Sequence, residues 1–176
     1  MYGLNMKRCL ILTVIGFVFL GLLGMAGRPP LVGSPAPEIV LKDLQGHEIK
    51  LSDLRGKIVL VNFWATWCKP CKEEMPAMQA SYDKLRDQGF VVLAVNELED
   101  VEKVAEHIRT HRHTFLVVMD HDNRVANQYG VVGLPASFLI DRQGIVREHI
   151  FGSLLTEEGI AELVRRHDTS PASVRR

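Results

Sequence analysis

The sequence predicts an α/β fold, a sheet with parallel members flanked by helices, and three observations carry the prediction. Apolar runs at Ile58–Val61, Phe90–Val95 and Thr114–Met119 alternate with segments of helical spacing, the order that right-handed crossovers require. The first run leads directly into Trp64-Ala65-Thr66-Trp67-Cys68-Lys69-Pro70-Cys71-Lys72, which sets two cysteines two residues apart at the start of a helical pattern. Pro135 enters a further run, Ala136–Asp141, although proline cannot donate to a ladder.

Taken in order, Met1–Arg8 carries Lys7 and Arg8 and no acid, and Cys9–Gly27 then runs nineteen residues without a charge. As a helix that run spans about 28 Å, close to the hydrocarbon thickness of a bilayer. Basic residues ahead of it predict an N-in orientation, with the rest of the chain outside the cytoplasm. It exceeds the roughly 7–15 residues of a signal core, which favours an uncleaved anchor; Gly24-Met25-Ala26 offers the small residues of a cleavage site, and both readings deliver the domain to the same side. Residues 28–37 hold four prolines and a glycine and read as an extended linker. The domain proper is expected over 38–167, with a polar, frayed tail at 168–176.

Within the domain, Ile39–Leu41 and Glu48–Leu51 around Asp43-Leu44-Gln45-Gly46 read as a β-hairpin, and Ser52–Lys57 as a polar turn. Met75, Met78, Tyr82 and Leu85 form a helical stripe over Lys72–Gln88, which Gly89 should stop and Pro76 should kink. Val101, Val104, Ala105 and Ile108 mark a second helix. Arg142-Gln143-Gly144 reads as a hairpin turn before a strand over Ile145–Phe151. Thr156 caps a last helix whose core stripe is Ile160, Leu163 and Val164, with Glu157 and Glu158 in the first turn, where the dipole favours acids.

Composition narrows the function. Lys and Arg number 21, as do Asp and Glu, so the formal net charge is zero and no basic face suggests nucleic acid. Three cysteines do not make a stapled scaffold; Cys9 begins the apolar run as a small apolar residue, which leaves Cys68 and Cys71. A pair at this spacing closes a disulfide ring or contributes half a zinc site. No second pair exists, and the strand–Cys-x-x-Cys–helix context favours redox chemistry. A cysteine at a helix N-terminus has its pKa drawn below the free value of about 8.5, which makes Cys68 the attacking sulfur and Cys71 the resolving one. His107 and His111, four apart, and His113 read as a solvated helix face rather than a metal site.

The segment from Val61 to Pro76, Val-Asn-Phe-Trp-Ala-Thr-Trp-Cys-Lys-Pro-Cys-Lys-Glu-Glu-Met-Pro, resembles the active-site region of the TlpA/ResA group of membrane-anchored bacterial thiol–disulfide oxidoreductases, and the likeness extends from about Gly33 to about His167. It implies a thioredoxin-like fold with an N-terminal β-hairpin addition and an inserted helix–strand before a cis proline, Leu134–Pro135. It also implies a redox-active Cys68–Cys71 disulfide with no further cofactor and no metal. Glu74, one turn beyond Cys71, is the expected proton acceptor, completing a catalytic set of Cys68, Cys71 and Glu74. Trp67, Pro70, Leu134 and Pro135 form the expected substrate-binding set, Trp67 as an apolar rim and Leu134 as backbone on which an extended partner pairs. Asn62 stands where thioredoxin itself has a buried aspartate; it cannot act as a base, so a proton relay falls to Glu74 or water. Lys69 favours a Cys68 thiolate and Glu74 opposes it, so their effects on the potential have opposite sign.

The implied activity is reduction of protein disulfides outside the cytoplasm, in cytochrome c maturation or copper-centre assembly, by a monomer anchored through its N-terminal helix. A transmembrane electron-donor protein would re-reduce it. The rivals are a disulfide-forming oxidant of the DsbA type, whose large helical insertion is missing here, and a metal-delivering or interaction module without turnover. A peroxiredoxin is a third; it needs Thr or Ser where Ala65 stands.

Overall fold

A computed structural model describes residues 29–152 and 155–168, so the expected membrane segment at 1–27 and the tail beyond Asp168 lie outside the described residues. Among the described residues no helix is long and apolar enough to cross a membrane. The elements run β1 (Val40–Asp43), β2 (Glu48–Lys50), a 3₁₀ turn (Leu51–Leu54), β3 (Ile58–Trp64), α1 (Lys69–Leu85), β4 (Phe90–Glu97), α2 (Val101–His111), β5 (Leu116–Asp120), α3 (Arg124–Gln128), β6 (Ala136–Ile140), β7 (Val146–Phe151) and α4 (Glu157–His167).

One seven-stranded sheet has the order β2-β1-β5-β4-β3-β6-β7. Strands β3, β4 and β5 are parallel and form the centre, while β1, β6 and β7 pair antiparallel. All seven residues of β3 are buried, because helices cover both faces of the sheet there and the strand is apolar throughout but for Asn62. Alternation sends Leu60 and Trp64 to one face, with Met75 and Met78 of α1, Val104 and Ile108 of α2, and Ile160 and Val164 of α4. Val59, Val61 and Phe63 face the other way, toward Val125 and Ala126 of α3, Tyr129 and Phe138. The sheet thus separates two apolar layers, and β3 delivers its C-terminal end as a fixed platform for the cysteines.

Several expectations change in detail. The first helix begins at Lys69 rather than Lys72 and runs unbroken through Pro76, while Gly89 closes the following 3₁₀ turn with φ +84°. Helix α3 has no counterpart in the sequence reading. It is five residues long, too short to show an apolar period, and Asp120 starts it by accepting from the N–H groups of Val125 (3.2 Å) and Ala126 (2.8 Å). Part of the expected linker is attached to the sheet: Gly33 and Ala36 donate to the carbonyls of Val146 and Gly144, and Ser34 accepts from Val146 N–H. Asp168, placed in the tail, is held by Arg142 at 2.9 Å.

Candidate active site

Cys68 is the N-cap of α1. Its φ and ψ of −78° and 106° are extended, and its Sγ accepts the Cys71 N–H at 3.2 Å. Lys69 and Pro70 occupy the first two helical positions, where proline has no hydrogen bond to lose. The two sulfurs are joined as a disulfide. Cys71 is fully buried, whereas Cys68 keeps 4% exposure, so neither sulfur is open in this state and Cys68 holds what access there is.

Glu74 is buried beneath this turn at 1% exposure. One carboxylate oxygen accepts from Asn62 Nδ2 at 2.7 Å and the other from the Leu155 N–H at 3.2 Å. Burial raises its pKa above the ordinary value, and these two hydrogen bonds oppose the rise without cancelling it. Asn62 also donates to Ser137 Oγ at 2.9 Å, which ties β3, α1 and β6 together. An aspartate at 62 would face Glu74 with a second anion in a buried site, which accounts for the amide at this position.

The remaining expected residues gather at the same end of the sheet. Ala136 lies opposite Phe63 in the β6–β3 register, so the segment before it, with its cis Leu134–Pro135 bond, sits where β3 ends. Pro135 is buried, Leu134 is half-buried and packs against both apolar layers, and Pro70 is exposed. Trp67 projects into solvent at 68% exposure, joined by Val132 at 89% and Leu98 at 62% as large exposed apolar side chains. Trp64 is buried completely. Lys69 is exposed and lies 3.7 Å from Glu73, which partly neutralises its charge.

Sequence reasoning missed Glu99. From the β4–α2 connection its carboxylate accepts both the N–H and the hydroxyl of Thr66, at 2.6 Å each, together with Asn96 Nδ2 at 2.9 Å and Lys103 Nζ at 2.6 Å. Burial pushes this carboxyl up, but the hydrogen bonds from Asn96, Lys103 and Thr66 outweigh it and hold the pKa at about 2. The group is thus a fixed anion that clamps the loop two residues before Cys68. The sequence signal was slight, an acid among acids between a strand and a helix, 33 residues from its partner.

The histidines also differ from expectation. His107 and His113 are half-buried, not solvated. The His107 ring lies tilted between Trp64 (5.5 Å) and His111 (4.2 Å), and His113 stacks on Phe115 at 5.1 Å. Burial first, then the neighbouring imidazoles, push His113 down to about 4. Among the described residues no group of three metal-ligating side chains converges.

Comparison with known proteins agrees with this architecture. Residues 32–149 match the AhpC/TSA family. The thiol-disulfide oxidoreductase ResA of Geobacillus kaustophilus is 49% identical over 130 residues, covering 72% of this chain and 73% of that protein. The ResA of Bacillus subtilis is 41% identical over 141 residues, covering 78% of each chain. A crystal structure assigned to the thiol:disulfide interchange protein DsbE of Chlorobium tepidum aligns with a TM-score of 0.70 at 34% identity, covering 76% of this chain and 94% of that one. The sheet with its added hairpin β1–β2 and inserted α2 and β5 is the thioredoxin-like fold that the resemblance implied.

Proposed function

The chain belongs to the AhpC/TSA family and is a thiol–disulfide oxidoreductase of the ResA kind, and from that premise we propose that it reduces protein disulfides through Cys68 and Cys71 on the extracytoplasmic side of a membrane. The observation that carries the residue assignment is the cap: Cys68 Sγ accepts the N–H of Cys71, the third residue of α1, and sits at the positive end of the helix dipole. Both features stabilise a thiolate on Cys68.

The cycle follows. The Cys68 thiolate attacks one sulfur of a partner disulfide, the partner's other sulfur leaves as a thiolate and takes a proton from water, and a mixed disulfide forms. The Glu74 carboxylate takes the Cys71 proton, and the Cys71 sulfur attacks Cys68. The Cys68–partner bond breaks, the departing partner sulfur takes the proton from Glu74, and the partner leaves with two thiols while Cys68 and Cys71 are oxidised to the disulfide. Two electrons pass to the partner in each turn. A dithiol of a transmembrane donor returns them by the same steps in reverse. Trp67, Pro70, Leu134 and Pro135 bind the partner segment around the cysteine. No metal and no cofactor beyond the disulfide take part.

The reducing direction rests on the likeness to the ResA oxidoreductases. Near the sulfurs the charges act in opposite senses: the helix N-terminus favours a Cys68 thiolate and so the reduced form, while the buried Glu74 carboxylate opposes a second negative charge beside it. The measured potential therefore decides the direction. The test is equilibration with a glutathione buffer poised near about −220 mV: a reductant remains a disulfide there, and an oxidant is reduced. Substrates in cytochrome c maturation or copper-centre assembly, and residues 1–27 as a single-pass N-in anchor, belong to the same proposal.

A further inference from the structure

Leu31 and Val32 are exposed at 76% and 62%, two apolar side chains at the tip of a tight turn. Ser34 closes the turn by donating to the Leu31 carbonyl from both its N–H (3.0 Å) and its hydroxyl (2.7 Å), and Gly33 takes the left-handed φ of +89° that the turn requires. The turn is fastened to the sheet. Gly33 donates to the Val146 carbonyl at 2.7 Å, Val146 donates back to Ser34 at 2.9 Å, Ala36 donates to Gly144 at 2.9 Å, and Pro35 bridges to Ile145. A loose spacer would make none of these bonds.

The place of attachment sets a direction. Val146 begins β7 opposite Ile140, and Ile140 lies opposite Val59 near the start of β3. The disulfide follows the other end of β3, beyond Trp64. Five residues of strand separate Val59 from Trp64, about 17 Å, so the turn and the disulfide occupy opposite poles.

We infer that the turn at Leu31–Ser34 is a bilayer-contact surface that seats the domain on phospholipid headgroups with its disulfide pole facing away from the membrane. The inference rests on the reading of residues 1–27 as a membrane segment. It follows from reach: Leu31 is four residues from Gly27, where the uncharged run ends, so it lies within about 14 Å of that point. The headgroup layer beyond the hydrocarbon is roughly 5–7 Å deep on each side. Two exposed aliphatic side chains held within that reach bury their surface in the interface, as the apolar faces of interfacial segments do. Arg55 is exposed, donates to the Gln143 carbonyl and lies against Gly144, which places a cation beside the turn for lipid phosphate. A transmembrane donor must then present its thiols well above the headgroups to reach Cys68.

The experiment places the full chain, one copy per nanodisc, in phosphatidylcholine–phosphatidylglycerol bilayers containing a lipid with a paramagnetic headgroup. Amide NMR signals are compared with those in nanodiscs lacking the spin label. Attenuation at Leu31, Val32, Arg55 and Gln143 should exceed that at Trp67 and Val132 by at least roughly tenfold, given the length of β3 and the steep distance dependence. The double substitution Leu31→Asp and Val32→Asp should lose that contrast while leaving disulfide exchange in solution unchanged. Even attenuation at both poles, or stronger attenuation at Trp67 and Val132, overturns the inference and leaves the anchor reading standing. A chain that does not enter nanodiscs overturns both.

Discussion

Asn62 donates from β3 to the buried carboxylate of Glu74 on α1 at 2.7 Å, fixing the acid beneath the disulfide-bearing turn. The carboxyl is raised by burial, so the folded chain keeps a proton that the unfolded chain releases. Stability therefore falls as pH rises from about 4.5 through the raised value of Glu74 and is level above it. Glu74→Gln should flatten the pH dependence of the urea midpoint over that window. It should also slow resolution of the mixed disulfide by roughly a hundredfold, as loss of a positioned base does. Unchanged resolution kinetics in the folded variant would remove Glu74 from the cycle.

Glu99 offers the opposite sign. Its carboxyl is held down at about 2, so the stability it supplies is complete above about 4.5 and is lost as pH falls toward 2. Glu99→Gln leaves Thr66 and Lys103 with a weaker acceptor, which should cost about 1–3 kcal/mol in urea unfolding at neutral pH. Faster amide hydrogen exchange at Thr66 and Trp67 should accompany the loss.

Trp67 is exposed, so its role separates cleanly from stability. Trp67→Ala should leave the thermal midpoint nearly unchanged, within about 0.5 kcal/mol, and weaken reduction of a disulfide peptide. Equal rates for the two proteins would deny Trp67 a part in docking.

The chain's periodicity conveyed what depends on local pattern. The runs at Ile58–Val61 and Phe90–Val95 became β3 and β4 because a strand buried on both faces is apolar throughout, and Thr156 accepts from Gly159 N–H as a cap should. The cysteines were legible because their spacing is unusual in itself, and Pro135 because it enters a strand, while its cis bond was implied by the family resemblance. What pairing alone decides was hidden. Glu99 reads as one more loop acid until Thr66 is brought to it, α3 exists because Asp120 caps it, and Gly33–Ala36 reads as linker until β7 supplies partners. His107 and His113 show no apolar signature, and their burial depends on Trp64 and Phe115 arriving from other elements.

That burial predicts acid sensitivity. His113 is held neutral, near 4, while an unfolded histidine titrates near 6.5, so stability is complete above about 6.5 and is lost as pH falls toward 4. His113→Asn should reduce the fall in thermal midpoint between those values. NMR titration of His113 with a midpoint at or above 6.5 would contradict the assignment.

The order of the sulfurs is the central claim, and trapping tests it most directly. Each single variant, Cys71→Ser and Cys68→Ser, is mixed with a disulfide-containing peptide, and the products are read by intact-mass spectrometry. Cys68 caps α1, keeps the access and attacks, so Cys71→Ser should accumulate a stable mixed disulfide on Cys68, while Cys68→Ser should form little or none. Accumulation on Cys71 in the Cys68→Ser protein, with none in the Cys71→Ser protein, would contradict the account.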